Sequence, residues 1–104
     1  MLSSFQAGVR SQEQVSQSPQ SLTVQEGKRV SMNCTYKNSA FDYFLWYKQD
    51  PGKGPELLMN IRLSMHKKES RRMIILLNKN DQHFSLHITD VQLADSGNYF
   101  CAAS

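Results

Sequence analysis

The chain has 104 residues, the size of one domain, with 39% hydrophobic residues and a formal net charge of +3. So mild a charge does not supply the concentrated basic field of a nucleic-acid binder, and no run of 18 apolar residues is present to span a membrane. A core this small is marginal by itself, and a covalent staple would help it.

Met1 to Arg10 lack the apolar stretch of a signal peptide, and Met1-Leu2-Ser3-Ser4 reads as an expression start or a residual leader. Residues 1–12 are therefore assigned to a mobile tail outside the fold, and residues 13–104 to one domain. Val15 to Ser18, Pro19, then Leu22 to Val24 suggest an edge strand interrupted by proline, which lacks the N–H that a ladder needs. Glu26-Gly27-Lys28 is a turn. Val30, Met32 and Cys34 alternate with Ser31, Asn33 and Thr35 as a half-buried strand. Phe44 and Trp46 share one face of the next strand, and Leu45, Tyr47 and Gln49 the other. Asp50 to Pro55 is a turn rich in Gly and Pro. Leu57 to Ile61 is a strand, with a second short one expected near Leu63–Met65. Met73, Ile75 and Leu77 alternate, Asn78 to Asp81 is a polar turn, Phe84, Leu86 and Ile88 alternate again, and Tyr99 to Ala103 forms the last strand. Short strands at this spacing mean an all-β sandwich or barrel.

Cys34 and Cys101 suit either two free thiols or one disulfide. A tetrahedral zinc site would need two further ligands. His83 and His87 do not supply them, because four residues of strand hold them roughly 13 Å apart; no metal and no cofactor is expected. Arg62, His66, Lys67, Lys68, Arg71 and Arg72, broken by Glu69, read as a solvated loop and a charged strand edge rather than a nucleic-acid patch. There is no Gly-x-Ser-x-Gly and no phosphate-cradling glycine loop, so no catalytic set is visible and an enzyme is not expected.

Cys34, Trp46 and Cys101 form the key triplet. Trp46 follows Cys34 by 12 residues, Cys101 follows it by 67, and Tyr99 stands two before Cys101 in Asp95-Ser96-Gly97-Asn98-Tyr99-Phe100-Cys101. This is the pattern of an immunoglobulin domain, with an inter-sheet disulfide, a Trp packed on it and a tyrosine corner. The long separation between the cysteines leaves room for the extra strands of the nine-strand variable plan. The fold expected is a V-type β-sandwich of two antiparallel sheets in a Greek key.

Trp46-Tyr47-Lys48-Gln49, Gly54-Pro55-Glu56-Leu57-Leu58, Phe84-Ser85-Leu86-His87-Ile88 and Tyr99-Phe100-Cys101-Ala102-Ala103-Ser104 resemble a T-cell receptor alpha-chain variable segment, as does Gln17 to Gly27. Some alpha segments also serve delta chains. Complete domains of that family continue with a joining segment bearing Phe-Gly-x-Gly, which forms the final strand. That strand is absent here, so the strand ending at Ser104 is expected to lack a neighbour.

The resemblance implies several assignments. Cys34 and Cys101 would be bridged, in an oxidising compartment. Asp95 would pair with Arg72 and tie one end of the sandwich, with Trp46 and Tyr99 in the core. The antigen-binding loops would be Asn38, Ser39, Ala40, Phe41, Asp42 and Tyr43, then Ile61, Arg62, Leu63, Ser64, Met65, His66 and Lys67, then Ala102, Ala103 and Ser104. Phe41 suits either paratope contact or an inward loop anchor. Tyr47, Gln49 and Phe100, with Pro55 and Leu57 beside them, would form an exposed patch that pairs with a beta-chain variable domain. Peptide presented by an MHC molecule would be the ligand, and the chain would be the extracellular part of a plasma-membrane receptor. The unpartnered domain is expected to self-associate. Asn33-Cys34-Thr35 is an acceptor sequon with Asn33 pointing outward. The alternative is a V-type adhesion or signalling ectodomain without hypervariable loops. A final strand encoded without rearrangement would favour it, and the Ala-Ala-Ser ending disfavours it.

Overall fold

A strand whose apolar residues recur at every second position can bury that face only against a second layer. The computed structural model describes residues 1–7 and 15–104 and resolves that requirement as two facing sheets. Among the described residues the strands are β1 (Leu2–Ala7), β2 (Val15–Ser18), β3 (Ser21–Gln25), β4 (Val30–Tyr36), β5 (Tyr43–Gln49), β6 (Glu56–Arg62), β7 (Lys67–Ser70), β8 (Met73–Asn78), β9 (His83–Ile88) and β10 (Gly97–Ala103). One sheet has the order β3-β1-β10-β5-β6 and the other β2-β4-β9-β8-β7. Every pairing is antiparallel except β1 with β10.

The core lies where the two inner faces meet. Val30, Met32, Cys34 and Tyr36 of β4 alternate as buried residues with exposed Ser31, Asn33 and Thr35. Cys34 and Cys101 are bridged across the sheets, with Cα atoms 6.4 Å apart. Each half-cystine has an aromatic ladder partner. Cys101 lies opposite Trp46, and Cys34 opposite Phe84. The two rings meet edge to face at 5.7 Å, a geometry that adds to their area burial. The Trp46 Nε1–H is buried with no hydrogen-bond partner among the described residues.

Three expectations are corrected. Leu2–Ala7 is not a tail. Ser3 and Phe5 are fully buried, Leu2, Ser4 and Gln6 face outward, and the strand pairs with both β3 and β10. Two inward residues are too short a pattern to register as a strand, and both partners lie far along the chain. Residues 8–12 of the assigned tail lie outside the described residues. By the same token β10 has a neighbour over part of its length, since β1 stands beside Gly97–Tyr99. The strand expected near Leu63–Met65 is instead a turn, closed by the Met65 N–H donating to the Arg62 carbonyl at 2.9 Å. The extra strand follows it as β7, and it pairs with β8 of the opposite sheet rather than with β6. Lys68 keeps the link to the first sheet, its Nζ donating to the Asn60 carbonyl at 3.1 Å.

Reduction of the Cys34–Cys101 bond is expected to lower stability by about 4 kcal/mol, because the bridge closes a loop of 67 residues' separation. Denaturant melts with and without reductant measure this, and intact mass under alkylation checks that no thiol is free in the unreduced chain.

Candidate functional site

The three loops singled out from the sequence converge at one end of the sandwich, and backbone hydrogen bonds lace them together. The Ser104 carbonyl accepts from the Asp42 and Tyr43 N–H groups at 2.9 and 3.1 Å, and the Ser104 N–H donates to the Tyr43 carbonyl at 2.9 Å. The Leu63 N–H donates to the Asp42 carbonyl at 2.8 Å. The first loop is therefore the hub, bonded to both others. Its own shape comes from Asn38, whose Oδ1 accepts from the Ala40 N–H and whose carbonyl accepts from the Phe41 N–H. Phe41 turns inward as an anchor, packing on the core with its ring 6.3 Å from that of Tyr36.

Exposed Arg62, Ser64, Met65 and His66 of the second loop surround Leu63, and the Arg62 guanidinium lies 4.7 Å from the Tyr43 ring centre. That stacking holds a long cation in one orientation over an amphipathic ring. Asp42, Arg62, Leu63, Ser64 and Lys79 line a shallow depression. Lys79 belongs to the polar turn between β8 and β9 and was not singled out from the sequence, since a lysine in a surface turn carries no periodic signal. Ile61 is core rather than loop surface. Ala102 and Ala103 lie in β10, opposite Leu45 and Phe44, so of the three C-terminal positions Ser104 is the exposed one.

At the opposite end, Arg72 grips Asp95 with both guanidinium nitrogens, at 2.7 and 3.0 Å. Its Nη1 also donates to the Thr89 and Asp90 carbonyls. Asp95 accepts from the Gln92 N–H at 2.8 Å, and its carbonyl accepts from the Tyr99 hydroxyl. Burial alone would raise the Asp95 carboxyl. The Arg72 and Gln92 hydrogen bonds and the charges of Arg72 and Lys48 outweigh it and hold the carboxyl below its ordinary value. Burial raises the Tyr99 phenol, which stays a neutral donor. This corner fixes the start of β10 and so the direction in which that strand runs toward the loop end. Gln17, to which the sequence reading gave no contact, reaches across with its Nε2 donating to the Tyr99 carbonyl at 2.7 Å.

The face assigned to a partner chain is only partly open. Phe100 is 5% exposed, not an outward apolar residue, because it stacks on Tyr47 with centroids 5.2 Å apart and planes 15° apart. The Gln49 side-chain nitrogen donates to the Lys53 carbonyl at 2.7 Å. Leu57, at 44% exposed, and Pro55 carry the open apolar surface, with Tyr47 half-buried beside them. Alternation placed these side chains on the correct face but could not show that one ring covers another.

The basic stretch does not gather into one patch. Arg72 is paired with Asp95, Lys68 with Asn60 and Lys67 with Glu69 at 3.1 Å. His87 is held between Ser31 and Ser85, each hydroxyl 2.8 Å from a ring nitrogen. Burial and the Arg29 charge lower its affinity for a proton. Asn33 is exposed on the outer face of β4, between Ser18 and Ser85.

Residues 17–104 match the immunoglobulin V-set domain model. The chain is 56% identical over 93 residues to human T cell receptor alpha variable 23/delta variable 6, covering 89% of this chain and 77% of that protein. It is 53% identical over 96 residues to the mouse T-cell receptor alpha chain V region 2B4, covering 92% and 72%. With human T cell receptor alpha variable 29/delta variable 5 it shares 51% over 92 residues, covering 88% and 77%.

Two of the shifted groups, His87 and Asp95, make acid destabilising. The depressed His87 contributes stability that is full above its unfolded value and is lost as pH falls below about 6.5; the depressed Asp95 does the same below about 4. Melting temperature against pH is expected to show two falling limbs. His87→Gln flattens the upper one and Asp95→Asn the lower, the latter costing about 2 kcal/mol at neutral pH.

Proposed function

We propose that this chain, which belongs to the T-cell receptor alpha variable family of immunoglobulin V-set domains, recognises peptide presented by an MHC molecule while paired with a beta-chain variable domain. Domains of this family are non-enzymatic receptor modules for antigen recognition, and this is one. The observation that carries the ligand reading is the hydrogen-bonded lacing of three loops into one end surface. A surface assembled from three separate loops, held rigid by main-chain bonds, presents adaptable side chains without a large ordering cost. Arg62 and Lys79 give it positive charge, which suits acidic helices of a presenting molecule and speeds encounter more than it adds affinity. The surface would face outward from a plasma membrane. Among the described residues no helix is long and apolar enough to cross one.

Pairing with the beta domain rests on the Tyr47, Pro55 and Leu57 surface, with Phe100 as the support beneath Tyr47 and Gln49 at its margin. Leu57→Asp is expected to weaken the heterodimer at least tenfold in sedimentation while leaving the melting temperature within a degree or two. Phe100→Ser instead lowers stability, by about 3 kcal/mol, because it removes a buried ring. In a receptor carrying this segment, Arg62→Glu is expected to slow association with peptide–MHC several-fold at low salt, measured by surface binding kinetics. An unchanged rate would place the contact elsewhere.

Asn33 is proposed to carry an N-linked glycan, since it is exposed on β4 within the Asn33-Cys34-Thr35 sequon. Material secreted from animal cells should lose mass on glycosidase treatment, and Thr35→Ala should abolish that loss.

A further inference from the structure

We propose that the glycan on Asn33 does not stand free in solvent but lies across the outer face of the second sheet, its first two sugar rings seated over Ser85 and against Leu76 and Ile74. The inference rests on Asn33 being glycosylated, and it deepens that reading by naming the protein surface that the sugar covers.

The register draws the path. Asn33 of β4 lies opposite Ser85 of β9, and Ser85 lies opposite Leu76 of β8. Leu76 in turn lies opposite Lys67 of β7. One row of side chains therefore crosses the sheet from the sequon to an exposed apolar residue. Two ladder steps put Leu76 about 10 Å from Asn33. That is within the span of an asparagine side chain and two pyranose rings.

The row is also a low line in the surface. Ser85 is only 5% exposed although alternation turns it outward, with Phe84 and Leu86 in the core. The same alternation sets half-buried His83 and His87 on either side of it. A small hydroxyl residue between two imidazoles makes a floor between walls. His87 is fixed in its wall position, because the Ser31 and Ser85 hydroxyls each lie 2.8 Å from one of its ring nitrogens. Past the floor, Leu76 is 39% exposed, and half-buried Ile74 stands opposite His87. The Lys67–Glu69 ion pair, at 3.1 Å, closes the far end beside these two residues.

The surface suits a sugar. A pyranose carries C–H groups on its ring faces and polar groups at its rim. The faces match Leu76, Ile74 and an imidazole, and the rim matches hydroxyls and an ion pair. Covering Leu76 removes apolar area from water. The covalent tether raises the local concentration of the sugar, so even a weak contact is populated. Two apolar side chains are far from the roughly 1,200 Å² that a stable protein partner buries, which favours the attached glycan over a second copy of the chain.

The test uses the chain secreted from animal cells with labelled Ile and Leu methyl groups. Nuclear Overhauser contacts are expected from the Ile74 and Leu76 methyls to the first two sugar rings. The glycosylated chain is expected to melt about 4 °C above Asn33→Gln, and Leu76→Ser, a change at an exposed position, should cut that advantage to about 1 °C. Intact mass separates the two readings. A chain without added mass is not glycosylated, and the inference falls with the modification. A glycosylated chain that lacks the methyl contacts, or whose melting advantage survives Leu76→Ser, keeps the modification and overturns the seat. A dimer of the glycosylated chain in sedimentation that Leu76→Ser abolishes assigns this face to a second copy and also overturns it.

Discussion

The fold depends on one cross-sheet joint. Cys34 of β4 and Cys101 of β10 lie on opposite inner faces, and the bond between them sets the distance and offset of the two sheets at the molecule's centre. Trp46 and Phe84 are the ladder partners of the two half-cystines, so the aromatic edge-to-face contact and the covalent bond reinforce the same point. A small domain buries too little apolar area for hydrophobic contacts alone to fix that offset securely. The aromatic cluster then extends toward the loop end through Phe44, Tyr36 and Phe41. The first loop is in this way anchored to the joint by a chain of tilted ring contacts rather than by its own backbone alone.

The two ends of β10 are held by different physics. Its start is fixed by a charged corner, where Arg72 from the second sheet meets Asp95 just before the strand. A half-buried bidentate pair with a further N–H donor is directional, and it registers one sheet against the other. Its far end is held by the ladder with β5, where Ala102 and Ala103 lie opposite Leu45 and Phe44, and by main-chain bonds from Ser104 to the first loop. The rigid end needs no variation. The end tied to the loops leaves Ser104 at the surface, as a recognition surface assembled from loops requires.

Much of this was legible in the residues. The alternation of Val30, Met32 and Cys34, and of Phe44 and Trp46, gave the inward faces correctly, because a period of two is imposed by strand geometry whatever the partner. The Arg72–Asp95 pair and the bridge followed from the resemblance of spaced motifs. Three things were not legible. Leu2–Ala7 has only Ser3 and Phe5 as inward residues, and its partners are contributed by Ser21–Gln25 and Gly97–Tyr99, which no local pattern reveals. Lys67–Ser70 reads as charged surface, and only its pairing with Met73–Asn78 makes it a strand of the second sheet. Phe100 was placed on the correct face, but its burial comes from the Tyr47 ring on the neighbouring strand.

Local sequence by itself determined which residues could be strands, which faces of β4, β5 and β9 were apolar, and where turns had to fall. Those properties come from backbone sterics and from side chains within a few positions of each other. Tertiary structure alone decided which strand stands beside which, that the amino-terminal segment fills the slot between β3 and β10, and that three loops are tied into one surface through Asp42 and Ser104. Those outcomes depend on contacts between residues as many as 92 apart, such as the Ser4–Ser96 hydrogen bond. A contact of that span joins segments from the two ends of the chain, so it leaves no periodicity in the sequence to read.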